Sequence, residues 1–541
     1  MDNTILSKPS AGTTAREMNK KYTLDGIDDD IVFGAGNGGD DGFTKNDQKD
    51  MDRMGKQQEL KRNYRSLSAL SFTAILQGTW EFLLISNTQG MIDGGLAGLF
   101  WTYVWTFFGF GIVMLSLAEM ASMAPISGGQ YHWVSEFAPP KYQKFLSYMT
   151  GWMSTLSWQA GSASGPYLTG TIIQGLISVN DPSYNPTDWQ GTLFIFSMVI
   201  IIYIANIWLS DSLPVIQNVL MMVHIFDFCA VIIVLWVMSP TVTAKAVFVT
   251  FYNGGGWSSM AVALMIGQIS AIYGSLCSDA TAHMAEEVKD AGRNVPLAMV
   301  WSYVVNGIMG IILLITYLFC IQNVEDAIDD PSGFPFIYVF RNAVSTGGVN
   351  VLTAILLVLV TASNISFNAS TSRQTFAFGR DRGLPFSKWV GKVHPKRQIP
   401  VNAITLSCGI TILLSLINIG SSAAFNAIIS LQVVALMFTY AISISCVLYR
   451  RLKHPELLPQ ARWSLGRWGI PVNAFGLCYV TFALFWSVWP NETPVDAETF
   501  NWSVVIFAVV GIVSLVMYFV QGRSVYEGPV MDISGREEED L

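Results

Sequence analysis

Charge is what this chain has least of. Only 13% of its 541 residues are Asp, Glu, Lys or Arg, about half the ~25% usual in soluble proteins. So few charges cannot cover a water-facing surface, which excludes an ordinary soluble fold for most of the length. Cysteine is also scarce. The six (Cys229, Cys277, Cys320, Cys408, Cys446, Cys478) all lie in apolar runs, with no metal-ligand spacing and no disulfide framework, so packing is their expected role. HExxH, G-x-S-x-G and a nucleotide-binding glycine loop are missing, so no enzyme, cofactor or metal is expected, nor a nucleic-acid partner. A cleavable signal peptide is missing too. The first ~65 residues are polar, and the first apolar run would itself act as the targeting signal.

What the chain does have is apolar residues, 51% of the total, in recurring runs of about 17–25. The pattern predicts an all-α membrane protein with twelve transmembrane helices. Their approximate bounds are 67–89, 96–122, 142–178, 191–209, 213–238, 257–282, 296–321, 349–379, 401–418, 423–449, 471–490 and 501–521. The third and eighth exceed what a bilayer needs and should tilt or protrude. Residues 1–66 read as a disordered tail, too polar to bury a core, and 522–541 as a second tail. With the N-terminus inside, the inner tails and loops hold 29 of the 31 Lys and Arg; only Lys245 and Arg341 fall outside. That imbalance places both termini in the cytoplasm.

Two spans are interrupted. In LSALSFTAILQGTWEFLLISNTQ, from Leu67, the break is Gln77-Gly78-Thr79, followed by Trp80 and Glu81. About 190 residues on, in the stretch from Trp257 to Pro296, the break is Tyr273-Gly274-Ser275, with Asp279 beyond it. Glycine frees backbone N–H and C=O groups from the helix ladder, and lipid cannot satisfy them. Such breaks last only where protein, water or solute takes over. Interrupted helices at matching places in two halves point to a transporter's binding site and to an inverted repeat. The repeats would be 67–238 and 257–449, each of five spans, with 471–521 outside them.

Four stretches carry a resemblance: GTWEFLLISNTQGMIDGGLAGL from Gly78, SLAEMASMAPISGGQYHWVSEFAP from Ser116, AEEVKDAGRNVP from Ala285 and FAFGRDRGLPFSKWVGKVHPKRQIPVNAI from Phe376. With these the chain resembles the amino acid–polyamine–organocation superfamily, and within it the fungal permeases for amino acids, GABA and choline. The match runs over roughly 65–520. The resemblance implies the five-plus-five inverted-repeat fold, alternating access and proton-coupled uptake of a small amine-bearing solute. An amino acid or GABA is the expected substrate, with choline, a polyamine or a non-transporting amino acid receptor as alternatives. The plasma membrane is the expected location, the vacuolar membrane the other option.

Each candidate residue has a plainer reading. The half-helix after Gly78 turns free N–H groups toward a substrate carboxylate, and carbonyls at Tyr273-Gly274-Ser275 can accept from its ammonium; otherwise both are packed kinks. Charge is costly at membrane depth, so Glu81 and Asp279 could bind a cation or a proton. Glu81 could equally be a solvated acid in an outer vestibule. Relatives place a gate acid where Asp279 falls and an aromatic gate where Tyr273 falls. Trp80 and Trp158 could complete a cage around an ammonium, or simply pack. His224 falls where many relatives carry a Lys that substitutes for a sodium ion; a His there could do so reversibly, with Asp227 one turn on as its partner. Asn364 and Asn368 share a helix face and either line an ion site beside span 1 or bridge helices. Glu286 and Glu287 with Lys289 and Arg293, and Arg373, Arg380, Asp381 and Arg382, read singly as solvated flanks, and together as an inner gate.

Overall fold

The structure is a computed structural model describing residues 44–419, 424–497 and 499–529. Among these there is no β-strand, only one isolated bridge between Tyr64 and Val288. Ten helices are long and apolar enough to cross a membrane, beginning at Ser66, Gly95, Asp188, Ser210, Ala291, Thr346, Val401, Ala427, Gly466 and Ser503. The third and sixth expected spans fall short by this measure for opposite reasons. Helix Gln143–Asn180 has 38 residues but is rich in Ser, Gly and Thr. The sixth is apolar, but its helix ends after Met260–Tyr273.

Burial ranks these helices. The apolar window of Ser66–Ile92 is 94% buried, and that of Ser503–Val525 only 11%. The first is therefore wrapped by the others, while the last lies on the periphery, where Val516, Phe519 and Val520 are exposed as lipid-facing residues would be. Helix Gln143–Asn180 gets into the centre through its small residues. A Cβ on Gly165 would stand 1.8 Å from Asn364 Oδ1, so no larger residue fits between these helices.

Both breaks exist, but they differ. In the first, Gly78 alone takes the left-handed conformation (φ +44°), between helices Ser66–Gln77 and Thr79–Ile85. Gly78 N–H still reaches Ala74 O and Gly78 O still accepts from Phe82, so the helix turns without unravelling. The second break is longer. Helix stops at Tyr273 and resumes only at Ala280. Gly274 was expected to release the backbone there, yet its φ of −66° is ordinary helix geometry; Cys277, at φ +70°, makes the left-handed turn.

The expected disorder of 1–66 is corrected for its last third; residues 1–43 lie outside the described residues. Helix Lys45–Arg53 is capped by Thr44, and Met51, Met54, Leu60 and Tyr64 are buried. Asp47 accepts from the N–H groups of Asp290 and Ala291 at 2.9 Å each, and Arg62 donates to Ala285 O at 2.9 Å. The polar residues that read as tail are bonded to loop backbone that lies about 240 positions away in the chain. At the other terminus Tyr526 is buried against Tyr148, and 530–541 lie outside the described residues.

Candidate functional site

The two breaks meet. Gln77 Nε2 donates to Ser275 O at 3.4 Å, joining the end of the first half-helix to the second break. Beside this contact is a cavity of about 20 Å³, lined by Gln77, Gly165, Tyr273, Cys277, Asn364 and Gln432 among others. That is room for about one water. The N–H groups of Thr79, Trp80 and Glu81 bond to no carbonyl of the preceding half-helix among the described residues. Ser363 Oγ caps the other side of the kink by donating to Leu76 O at 2.7 Å.

Tyr273 roofs the cavity. Its hydroxyl lies 3.0 Å from Ser164 Oγ, and its ring meets Phe82 edge-on at 5.8 Å. Above it opens a vestibule of about 460 Å³, whose wall includes Gln89, Tyr167, Gln174, Ser270 and Glu492. Tyr273 belongs to both walls, so its ring borders the small cavity and the wide one alike.

Three expected members turn away from this cavity. Glu81 is 3% exposed, not a solvated vestibule acid; its Oε1 lies 2.6 Å from His224 Nδ1. Trp80 does not form a cage but donates its Nε1–H to the same nitrogen at 3.1 Å and packs on Phe228. Trp158 sits beyond Phe367 (5.0 Å between rings) and against His283 (4.7 Å), outside the cavity lining. The predicted His224–Asp227 pairing is replaced by His224–Glu81, and both Asp227 oxygens lack a hydrogen-bond partner. Residues one helical turn apart share a face, but the shorter contact comes from another helix.

The neighbours of His224 allow two protonation states. Nε2 faces Asn306 Oδ1 at 3.3 Å; that amide is oriented by its own Nδ2–H, which donates to Ala74 O at 2.8 Å. With both ring nitrogens protonated, each meets an acceptor, Glu81 or Asn306. With Nδ1 bare, the Trp80 indole N–H supplies a donor to it. Asn306 Nδ2 also lies 3.4 Å from Gln77 Oε1. A hydrogen-bonded chain therefore runs Glu81–His224–Asn306–Gln77–Ser275, from the titratable pair to the second break. Asn306 went unnoticed in the sequence because a lone Asn in a span has no pattern.

The asparagines of the eighth span divide their roles. Asn364 reaches the cavity and donates to Thr169 Oγ1 at 2.8 Å, whereas Asn368 bonds Ser162 Oγ at 3.3 Å, away from the cavity lining. Both bridge to Gln143–Asn180; Ser363 makes the contact with the first span. Asp279 is fully buried below the second break and accepts from Gln130 Nε2 at 2.6 Å.

The opposite end is shut by ion pairs. Arg373 Nε donates to Glu287 at 2.6 Å, and Arg380 makes two 2.9 Å bonds to Glu286. Asp381 is held by Lys56 and Tyr131, both at 3.0 Å. With Glu286 fully buried, these are not the solvated flanks that each residue alone implied. Burial pushes the Glu286 carboxyl up, but Arg380 outweighs it and holds it below the usual carboxylate range.

The family profile described as amino acid permease matches residues 63–513. A Macrophomina phaseolina protein with the provisional name amino acid/polyamine transporter is 30% identical, over 80% of this chain and 96% of its own. A Saccharomyces cerevisiae choline transporter is 25% identical (86% and 82%), and the GABA-specific permease of the same yeast 24% (90% and 86%). The solved structure of a manganese transporter mutant from Eremococcus coleocola superposes with a TM-score of 0.52 at 12% identity, over 86% of this chain and 95% of that one.

Proposed function

The chain belongs to the amino acid permease family, and from this premise we propose that it takes up an amino acid or GABA together with protons, by alternating access. It is a multi-pass membrane transporter and not an enzyme. In the proposed topology Gln143–Asn180 and the broken sixth segment complete twelve spans. Repeats 67–238 and 257–449 are inverted, and the Lys and Arg imbalance puts both termini in the cytoplasm of a plasma-membrane protein. The vestibule is then the outer mouth, Tyr273 its gate and the buried ion pairs the closed inner gate.

The substrate site is the junction of the breaks. The carboxylate is met by the N–H groups of Thr79, Trp80 and Glu81, and the ammonium by carbonyls of the second break around Gly274 and Ser275. The observation that carries the coupling is the wired pair Glu81–His224. A proton on His224 completes an imidazolium–carboxylate pair, and its loss transfers Nδ1 to the Trp80 donor. In both states Nε2–H donates to Asn306, so the pair stays tied through Gln77 to Ser275 O, and what the proton changes is the charge at the far end of that chain. Because Glu81 is engaged by His224, it is not a free acid for a quaternary ammonium, which favours a substrate with its own carboxylate over choline.

Uptake in cells lacking their own carriers tests this: labelled GABA, α-amino acids and choline at pH 5 and 7.5. Accumulation of an amino acid or GABA, higher at pH 5, is expected. Choline as the sole solute would overturn the substrate assignment, and pH-independent uptake the coupling.

A further inference from the structure

Between the end of the eighth span and the last span lies a second groove of about 580 Å³, whose lining includes Tyr148, Arg382, Lys388, Trp389, Met517 and Gln521. One wall is the end of Ser503–Val525, the least buried of the ten membrane-length helices among the described residues, whose neighbouring Phe519 and Val520 are exposed as lipid-facing residues would be. Its rim is aromatic and basic. Phe386 is 85% exposed and held in the left-handed conformation at φ +57°. A bulky side chain in that region is a costly outlier, and here the protein itself buries little of the residue in return. Trp389, three residues on in the short helix Ser387–Val390, is 46% exposed on the same rim.

Along the loop that follows the eighth span the charge has one sign. Between 382 and 400 stand Arg382, Lys388, Lys392, Lys396 and Arg397, and no acid. Arg382 pairs with Glu527 at 3.1 Å, and Arg397 donates to Ile207 O; Lys388 has no ion-pair partner among the described residues. Aromatic rings at headgroup level, lysines beside a span end and an apolar trough leading into the bilayer are the three components of a phospholipid contact.

We propose that this groove binds an anionic phospholipid, its phosphate and acidic headgroup at Lys388 and an acyl chain along Met517 to Val525. Phe386 is thrust outward because its ring rests in the same lipid layer. The site is separate from the substrate cavity and does not depend on which solute is carried.

Native mass spectrometry of the full chain, purified in detergent, with added phosphatidylserine or phosphatidylcholine tests the assignment. Phosphatidylserine is expected to bind more tightly. Lys388→Ala should weaken it about fivefold, the value of one surface lysine against anionic lipid, and leave phosphatidylcholine unchanged. Phe386→Asn removes the backbone penalty, so it should raise the melting temperature in lipid-free detergent while lowering lipid retention. This guards against a variant that merely misfolds. Equal binding of the two lipids, or no effect of Lys388→Ala, would overturn the proposal. So would phosphatidylserine binding that appears only when 530–541 are removed, since the acidic run Glu537–Asp540 would then be the occupant.

Discussion

The two ends of the helix bundle are built on different chemistry. At one end the vestibule is walled by apolar residues and neutral polar groups such as Gln89, Gln174 and Ser270, and the ring of Tyr273 borders both it and the cavity. At the other, Arg373–Glu287, Arg380–Glu286 and Lys56–Asp381 are buried pairs, bolted further by Asp47 and Arg62 from the segment before the first span. A ring held by one hydroxyl contact and one edge-on ring can swing without exposing a charge. A buried ion pair has to be resolvated or re-paired as it opens. In the proposed cycle the charged end is the one that needs the substrate and proton to drive it.

That contrast can be broken most severely at the charged end. Arg373→Met leaves Glu287 buried without its partner and should cost about 3–5 kcal/mol, while the double change with Glu287→Leu should recover most of it. Thermal melting of the three variants reads this, and an unstable double variant would show that the pair is not an isolated unit. Acid acts on the same end. Glu286 is held below its usual range, so its contribution is present above ordinary carboxylate pKa values and is lost as pH falls through its lowered one. Melting temperature should therefore drop at strongly acid pH, and Glu286→Gln should flatten that drop.

The breaks offer the next contrast. Gly78→Ala forces a side chain into a left-handed position, costing about 1–2 kcal/mol, and should abolish uptake with the protein still at the membrane. Gly274→Ala keeps an allowed φ, and its Cβ would meet Leu83 at 3.1 Å, so a partial loss is expected. Equal loss at both positions would remove the distinction between the breaks. His224→Ala should flatten the pH dependence of uptake more than it lowers the maximal rate; an unchanged profile would take His224 out of coupling. The smallest effect is expected at Arg53, which is about a third exposed (31%) in its pair with Glu136. Arg53→Ala should cost at most about 1 kcal/mol by melting. A larger cost would mean that the burial of Glu136, 5% exposed, makes this a buried pair in its energetics.

The sequence by itself determined the class. Too little charge and continuous apolar runs of about 17–25 residues point to helices, which satisfy their own hydrogen bonds in lipid, and not to the short alternating strands of a barrel. It also located both breaks, since glycine in an apolar span is visible without any partner. Tertiary structure alone decided what each polar residue does. Asp227 was the expected partner of His224 because helix periodicity shows only neighbours along one helix, whereas Glu81 arrives from another. Cys277, not Gly274, takes the left-handed turn, because φ is set by what the chain must reach on either side. The charges of 44–65 and 286–381 looked solvated for the same reason. Composition counts charged groups but not the distant carbonyls and carboxylates that bury them, and those distances are set only when the helices pack.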